Sequence, residues 1–262
     1  MELYDRIREM WQKNDIASAD ALDFALDNFR ILFAFHSGKI ENNEIEYHDT
    51  REIFENGKVY GYTGSTRALF EQQNQKLCYD FLKEKIVKKE PLSLPLILEV
   101  HSILTSGTYD ERRFVVNEER PGQFKKHDYV IGRNEIGLPP DEVEDGLTDL
   151  INELNEYDGN NVLKAAAYFH LRFEHIHPFA DGNGRVGRTL MNYFLLTHGE
   201  PPVIIFEGDK KKYYDALETY DIKEEIEQLY EFLKEQTVKT WKKTYERSQN
   251  MNLKKPKSLE DS

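Results

Sequence analysis

Apolar residues recur at spacings of three and four along most of the chain, the pattern of helices that each bury one face. The spacing predicts a helix over residues 20–35, "DALDFALDNFRILFAF", and another over 67–86, which the break near Pro91 ends. A third is expected over 95–105, with Pro95 in its first turn, where a missing N–H does no harm. Pro139-Pro140 opens a fourth, running through Leu154, with acidic residues in its first turn that suit the helix dipole. "DGNN" at 158–161 is a break, and residues 161–173 and 184–197 are predicted as apolar helices on either side of a short polar loop. A long amphipathic helix over 224–245 closes the pattern, and from Arg247 the sequence turns polar, which predicts a frayed tail. One region departs from helical spacing. Residues 113–131, "RFVVNEERPGQFKKHDYVI", hold short β-prone runs separated by Pro-Gly and predict a small β-hairpin or extended flap. The expected fold is all-α, a helical bundle with a β-hairpin flap over its site. No internal repeat or low-complexity linker interrupts it.

Length and charge narrow the function classes. A chain of 262 residues fits one large domain, or a core with an added helical part. The expected division is an N-terminal helical region at 1–90, a core at 91–246 and a tail at 247–262. No apolar run reaches the roughly 18–20 residues that span a bilayer. The N-terminal "MELYDRIREMWQKND" is acidic and amphipathic, with no apolar signal core. A net charge of −13 argues against non-specific binding to a nucleic-acid backbone. The single cysteine, Cys78, has no intrachain partner and reads as a small buried apolar residue in "KLCYDFL". A cytoplasmic protein with neither nucleic acid nor membrane as partner is the expectation.

The polar loop carries the chemistry. "HIHPFADGNGRVGR", residues 175–188, holds two imidazoles, a carboxylate, two arginines and three glycines between the two helices. Glycines at 182 and 184 allow successive N–H groups to point into one concavity at a helix start, where the dipole favours an anion. Asn183 adds an amide donor. Arg185 and Arg188, three residues apart, share nearly one helix face and can fork onto phosphate oxygens. Asp181 would repel a bare phosphate, and it becomes useful with Mg²⁺ between them. His177, four residues earlier, can take a proton from an attacking hydroxyl near neutral pH, so a rate that falls as pH drops through roughly 6–7 is expected. A zinc reading of His170, His175 and His177 has neither cysteine nor a His-Glu-x-x-His pair to complete it. His170 and His175 fit a supporting role better. Together the loop suggests transfer of a nucleotidyl or phosphoryl group.

His177-Pro178-Phe179-x-Asp181-Gly182-Asn183-Gly184-Arg185-x-x-Arg188 resembles the core motif of the Fic (Fic/Doc) family with every defined position filled. The flanking "HLRFEHIHPF" and "TLMNYFLL" look like Fic as well, and "PGQFKKHDYVIG" looks like the family's flap. The resemblance covers roughly residues 91–233. It implies transfer of AMP from ATP onto a Ser, Thr or Tyr hydroxyl of a target protein, with release of pyrophosphate. By position, His177 would be the base and Asp181 the Mg²⁺ ligand. Gly182, Asn183, Gly184 and Arg185 would cradle the α- and β-phosphates, Arg188 would hold the γ-phosphate, and Phe179 would anchor the loop. Asn192, Tyr213 and Tyr214 are candidates for the nucleoside pocket. The flap residues Lys125, Lys126, His127, Asp128 and Tyr129 are candidates for docking an extended target segment by edge pairing.

A second stretch, "SGKIENN" at 37–43, resembles the family's inhibitory motif, [Ser/Thr]-x-x-x-Glu-[Gly/Asn], lying before the core in the same chain. On a helix Ser37 and Glu41 share one face, and Asn42 follows. Glu41 would pair with Arg188 in place of the γ-phosphate and misplace the α-phosphate for attack. The same carboxylate could orient a water that removes AMP from a modified target. The other readings are transfer of UMP, phosphocholine or phosphate by the same loop, and a non-catalytic regulatory or toxin-like module. An inhibitory helix of this kind could be relieved by rearrangement of a homodimer or by labelling of the chain itself.

Overall fold

The computed structural model describes residues 2–129 and 137–253. Its elements are α1 (Leu3–Gln12), α2 (Ala19–Ala25), α3 (Asp27–Glu41), α4 (Tyr47–Asn56), α5 (Thr66–Val87), α6 (Leu94–Thr105), α7 (Val143–Asn155), α8 (Val162–Ile176), α9 (Asn183–Thr197), α10 (Lys210–Lys223) and α11 (Glu227–Leu253). No strand occurs among the described residues. None of the described helices is long and apolar enough to cross a membrane.

The centre of the bundle is the antiparallel pair α8 and α9. Their close approach follows from small side chains: Ala165, Ala166 and Ala167 are buried on α8. Gly187 of α9 sits where a Cβ would come 2.7 Å from Glu174 Oε1 and 3.0 Å from the His170 ring. Helix α8 also packs on α7, α10 and α11, while α9 meets α3, α5 and α6. One continuous apolar core draws on both halves of the chain, from Ile7 and Trp11 to Leu233 and Trp241. The α8–α9 connection, residues 177–182, therefore emerges where helices of the N-terminal and central parts converge.

Three sequence expectations change. The helix predicted over 20–35 is broken at Leu26, whose backbone (φ −104°, ψ 9°) separates α2 from α3. Its buried side chain keeps the apolar spacing unbroken, so periodicity cannot register the kink. Helix α3 then runs on to Glu41, where Asn42 takes an extended backbone (φ −133°, ψ 108°) and accepts the Glu44 N–H on its own side chain, ending the helix. At the C-terminus α11 continues past Arg247 to Leu253, where fraying was expected.

The flap is the largest correction. Arg112–Val116 is a single π turn, and the described part of the region forms no hairpin. Glu119 provides the physical reason. Its buried carboxylate accepts the Lys126 N–H at 3.0 Å, the Tyr129 hydroxyl at 2.9 Å and lies 3.0 Å from His127 Nδ1. The Lys125 N–H goes to the Pro178 carbonyl at 2.9 Å. The backbone donors that a hairpin would exchange across strands are thus taken by a side chain and by the α8–α9 loop. The end of the predicted flap, Val130 and Ile131, lies outside the described residues.

Candidate active site

Helix α8 stops at His177, which adopts the left-handed conformation (φ 50°, ψ 62°) and donates its N–H to the Phe173 carbonyl at 3.0 Å. This conformation is uncommon for a side-chain-bearing residue and holds only where the surroundings fix it. Here they do. Phe179, two residues on, is fully buried and stacks on the His101 ring of α6 at 3.7 Å between centroids, only 3° from parallel. Asn183 closes the loop from the other side: its Oδ1 accepts the Phe179 N–H at 2.9 Å and its Nδ2 donates to the Phe179 carbonyl at 2.7 Å. His101 accepts the Gly122 N–H on Nδ1, so its proton is on Nε2, which donates to the Asp181 carbonyl at 3.1 Å. Burial pushes this imidazole down to about 3, which keeps it neutral in that tautomer.

Gly182 begins α9 with φ 84°, and a Cβ there would lie 2.6 Å from Thr105 Cγ2. Gly182→Ala is therefore expected to lower stability by about 1–3 kcal/mol. Urea unfolding followed by circular dichroism measures the loss. An unchanged midpoint would mean the loop relaxes freely.

The first turn of α9 has no side-chain cap, so its N–H groups are free to meet an anion. Arg185 is buried on the same turn, and its Nε and Nη1 lack a hydrogen-bond partner among the described residues. Nη1 has the Glu71 carboxylate 3.3 Å away without a well-formed hydrogen bond, and phosphate oxygens would satisfy both donors. Asp181 is the loop's one carboxylate. No group of three metal-binding side chains exists among the described residues. This donor set suits Mg²⁺ that arrives with phosphate ligands of its own, and does not suit a cage that binds a bare ion.

Arg188 is 1% exposed and fully engaged. It donates from Nε to Ser37 Oγ at 3.0 Å, and from Nη2 to the Ser37 carbonyl and to Glu41 Oε1, both at 2.9 Å. The carboxylate beside it raises the guanidinium's proton affinity despite burial, so it stays charged. Glu41 Oε1 also sits where a Cβ on Gly184 would come within 2.5 Å. The carboxylate thus occupies the mouth of the anion nest, between the start of α9 and Arg188. Asn42 donates to Glu71 Oε2 at 3.0 Å, and Glu71, buried on α5, lies 3.3 Å from Arg185 Nη1.

An open cleft of about 1450 Å³ runs over this loop. His177, Asp181 to Arg185, Arg188, Tyr213 and Tyr214 line it, as do Glu41 and Asn42. Tyr213 is buried, with its hydroxyl 2.7 Å from His170 Nε2 and 3.5 Å from Arg188 Nη1. Asn192 does not belong to the cleft. Its amide is spent on the Val203 backbone, donating at 2.9 Å and accepting at 2.7 Å. His175 is exposed and pairs with Asp221 at 2.9 Å. Of the flap residues, Tyr129 lines the cleft, and Lys125 is buried beside His177, whose proton affinity it lowers. Lys126 and His127 are organised around Glu119, and Asp128 is exposed. Sequence reasoning missed His101, Arg67 and Glu71. Their one signal is chemical: a histidine within the apolar α6, and an arginine and a glutamate four residues apart at the start of α5.

Residues 91–195 match the model of the Fic/DOC family. The chain carries a Fic domain. Among curated Fic proteins, it is 29% identical over 210 residues to the Caenorhabditis elegans protein adenylyltransferase fic-1, covering 78% of this chain and 39% of that relative. It is 30% identical over 229 residues to the Aedes aegypti protein adenylyltransferase Fic, covering 81% and 42%. The chain therefore spans about two fifths of the length of these relatives. Its fold is that of a Fic-domain-containing signalling protein from Bacteroides thetaiotaomicron, with a TM-score of 0.81 at 21% identity over 95% of this chain and 97% of the other. A C. elegans Fic-1 fragment superposes with a TM-score of 0.78 at 22% identity over 95% and 71%. The Fic domain proper begins in the segment before α6 and ends within α9, so Ser37, Glu41, Arg67 and Glu71 reach its loop from outside it.

Proposed function

We propose that the chain is a protein adenylyltransferase that moves AMP from ATP to a Ser, Thr or Tyr hydroxyl, and that Glu41 holds it off by occupying Arg188. The observation that carries this reading is the 2.9 Å pair between Glu41 Oε1 and Arg188 Nη2, set over a complete phosphate nest. The nest's free α9 N–H groups and Arg185 donors suit the α- and β-phosphates, and Arg188 suits the γ-phosphate once Glu41 withdraws. The target hydroxyl attacks the α-phosphorus, its proton passes to His177, and pyrophosphate leaves. The Glu174 main-chain carbonyl favours a proton on the imidazole. Nδ1 is the buried ring nitrogen, so Nε2 is assigned the accepting lone pair. Asp181 would hold Mg²⁺, which when bound neutralises charge building on the phosphate oxygens. The exposed Phe114, Val115 and Val116, on the turn that also places Arg113 in the cleft wall, give a target segment an apolar side-chain contact. That contact replaces the edge pairing expected of a hairpin.

Intact-mass measurement after ATP and Mg²⁺, on the natural chain and on Glu41→Gly, tests the proposal. A gain of one AMP on the variant, or on an added target protein, is expected. No transfer by Glu41→Gly to any protein would overturn it, and transfer from UTP or a phosphocholine donor instead would reassign the group.

The pH dependence differs from that of a free imidazole. Burial, and then the Lys125 ammonium, push His177 down to about 4. The base must be neutral to work, so the rate per folded molecule is expected to stay flat from pH 8 to about 5, without the fall through 6–7 expected of an unperturbed histidine. His101, His170 and His177 all have folded proton affinities below the unfolded value of 6.5. The unfolded chain therefore binds more protons below about pH 6.5, and stability falls as pH drops through that point. Glu174, pushed up to about 8 by burial, and Glu200, also raised by burial, oppose this trend, while His36, lowered by burial, adds to it. Rates at each pH, divided by the folded fraction from circular dichroism, check the prediction. A fall centred at pH 6–7 in that ratio would refute it.

A further inference from the structure

The least expected contact at the loop is made by Arg67, in the first turn of α5. Its Nη2 donates to Asp181 Oδ2 at 2.7 Å and its Nε donates to Glu71 Oε1 at 3.0 Å. The other Asp181 oxygen, Oδ1, faces Arg185 Nη2 at 3.7 Å. Both oxygens that a divalent cation could use are thus turned toward guanidinium groups. A metal ion at Oδ2 and a guanidinium at hydrogen-bond distance from the same atom would repel each other at close range, so the two are alternatives. Arg185 is buried and fixed. Arg67 can yield, because its side chain is 39% exposed and reaches in from the cleft rim.

We propose that Arg67 is a positioning residue that competes with the divalent cation for Asp181 and so sets the concentration of metal the site requires. In the arrangement described, Arg67 holds the carboxylate rotamer and supplies the missing positive charge. When Mg²⁺ enters with a triphosphate, Arg67 releases Oδ2. Arg67 also shares Glu71 with Asn42 and Arg185. Its release therefore loosens the carboxylate that ties the end of α3 to the phosphate cradle, which couples metal loading to withdrawal of Glu41. Because Asp181 is the carboxylate assigned to the metal, the effect reads out through the metal dependence of nucleotide binding. This inference rests on the nucleotide-binding reading above.

The test uses the Glu41→Gly chain, in which the γ-phosphate position is open, and follows binding of a non-hydrolysable ATP analogue by calorimetry over a series of Mg²⁺ concentrations. Arg67→Gln keeps much of the aliphatic stem and an amide donor to Glu71, and its melting temperature reports whether the fold is kept. Adding Arg67→Gln is expected to lower the Mg²⁺ concentration for half-maximal binding about tenfold, the size of one partly exposed charge-assisted pair. Arg67→Lys, which keeps the charge, is expected to leave it near the natural value, and Asp181→Asn to remove most of the Mg²⁺ dependence. An unchanged or raised midpoint in Arg67→Gln would overturn the assignment and mark Arg67 as a phosphate ligand or a structural brace. Failure of the Glu41→Gly chain to bind the analogue at any Mg²⁺ concentration would instead remove the nucleotide reading, and the Arg67 assignment with it.

Discussion

His177→Ala, made in the Glu41→Gly background, is expected to lower AMP transfer by roughly 10²–10⁴-fold, the usual contribution of a positioned general base. The loss should lie in the chemical step. The groups proposed to bind phosphate are the α9 backbone, Arg185 and Arg188, and none of them is hydrogen-bonded to the imidazole. Affinity for a non-hydrolysable ATP analogue is therefore expected to stay within about twofold. The fold should tolerate the change. Among the described residues the ring's one backbone interaction is with the Glu174 carbonyl, and it is too weak to place a well-formed hydrogen bond on Nδ1, so removing the ring gives up little. The backbone at φ 50° is no easier for alanine, and a loss of about 1 kcal/mol from the emptied space is the expected limit. Labelling from radioactive ATP, with melting temperature measured alongside, decides the matter. A rate within threefold of the parent would show that another group takes the proton.

The loop was legible because its chemistry is contiguous. The proposed base and metal carboxylate, the glycine nest and two arginines fall within twelve residues, and local rules govern how a segment of chain enters a helix N-terminus. The main helices were legible for the same reason, since apolar spacing is local. What escaped the sequence depends on groups far apart in it. Arg67 meets Asp181 across 114 positions, and Ser37 meets Arg188 across 151. No periodicity links such pairs. His101 looks like any polar interruption of an apolar helix until Phe179 is found stacked on it. Asn192 misled because it follows Arg188 by one helical turn, whereas α9 has by then rotated its amide toward Val203. The flap misled because β-prone residues were read as strand, while the buried Glu119 carboxylate takes up the donors that a partner strand would need.

These long-range contacts also change what the proposed inhibitory motif is. From sequence it is a single carboxylate aimed at Arg188. In the structure the end of α3 and the start of α5 grip the loop at three points: Glu41 on Arg188, Asn42 through Glu71 beside Arg185, and Arg67 on Asp181. Each point opposes one of the charges that a metal–triphosphate complex would use. The resting arrangement is therefore charge-balanced without any ligand, which is how a buried guanidinium such as Arg188 can be held ready without the penalty of an unpaired charge.

Glu41→Gly should raise AMP transfer by about 10–100-fold. The estimate is the value of one charge-assisted hydrogen bond to a buried group, about 1.5–3 kcal/mol, converted at about 1.4 kcal/mol per tenfold. Repulsion between the carboxylate and an incoming γ-phosphate acts in the same direction. Arg188 should keep its place in the variant, because Ser37 holds it through both its hydroxyl at 3.0 Å and its carbonyl at 2.9 Å. Removing Glu41 therefore uncovers the arginine without freeing it. Glycine suits the position, since Glu41 is the last residue of α3 and the helix ends there in any case. Arg188→Ala separates pairing from general loosening. If Glu41 acts only by occupying Arg188, Glu41→Gly should gain little in an Arg188→Ala chain, which has lost the γ-phosphate contact as well. A gain of the same size in both backgrounds would show that Glu41 blocks the nest sterically at Gly184, where its carboxylate also sits. The same variant reports on the reverse reaction. If the carboxylate orients water, release of AMP from a modified target should fall in Glu41→Gly as forward transfer rises, and mass spectrometry of one target protein, modified and unmodified, follows both directions at once.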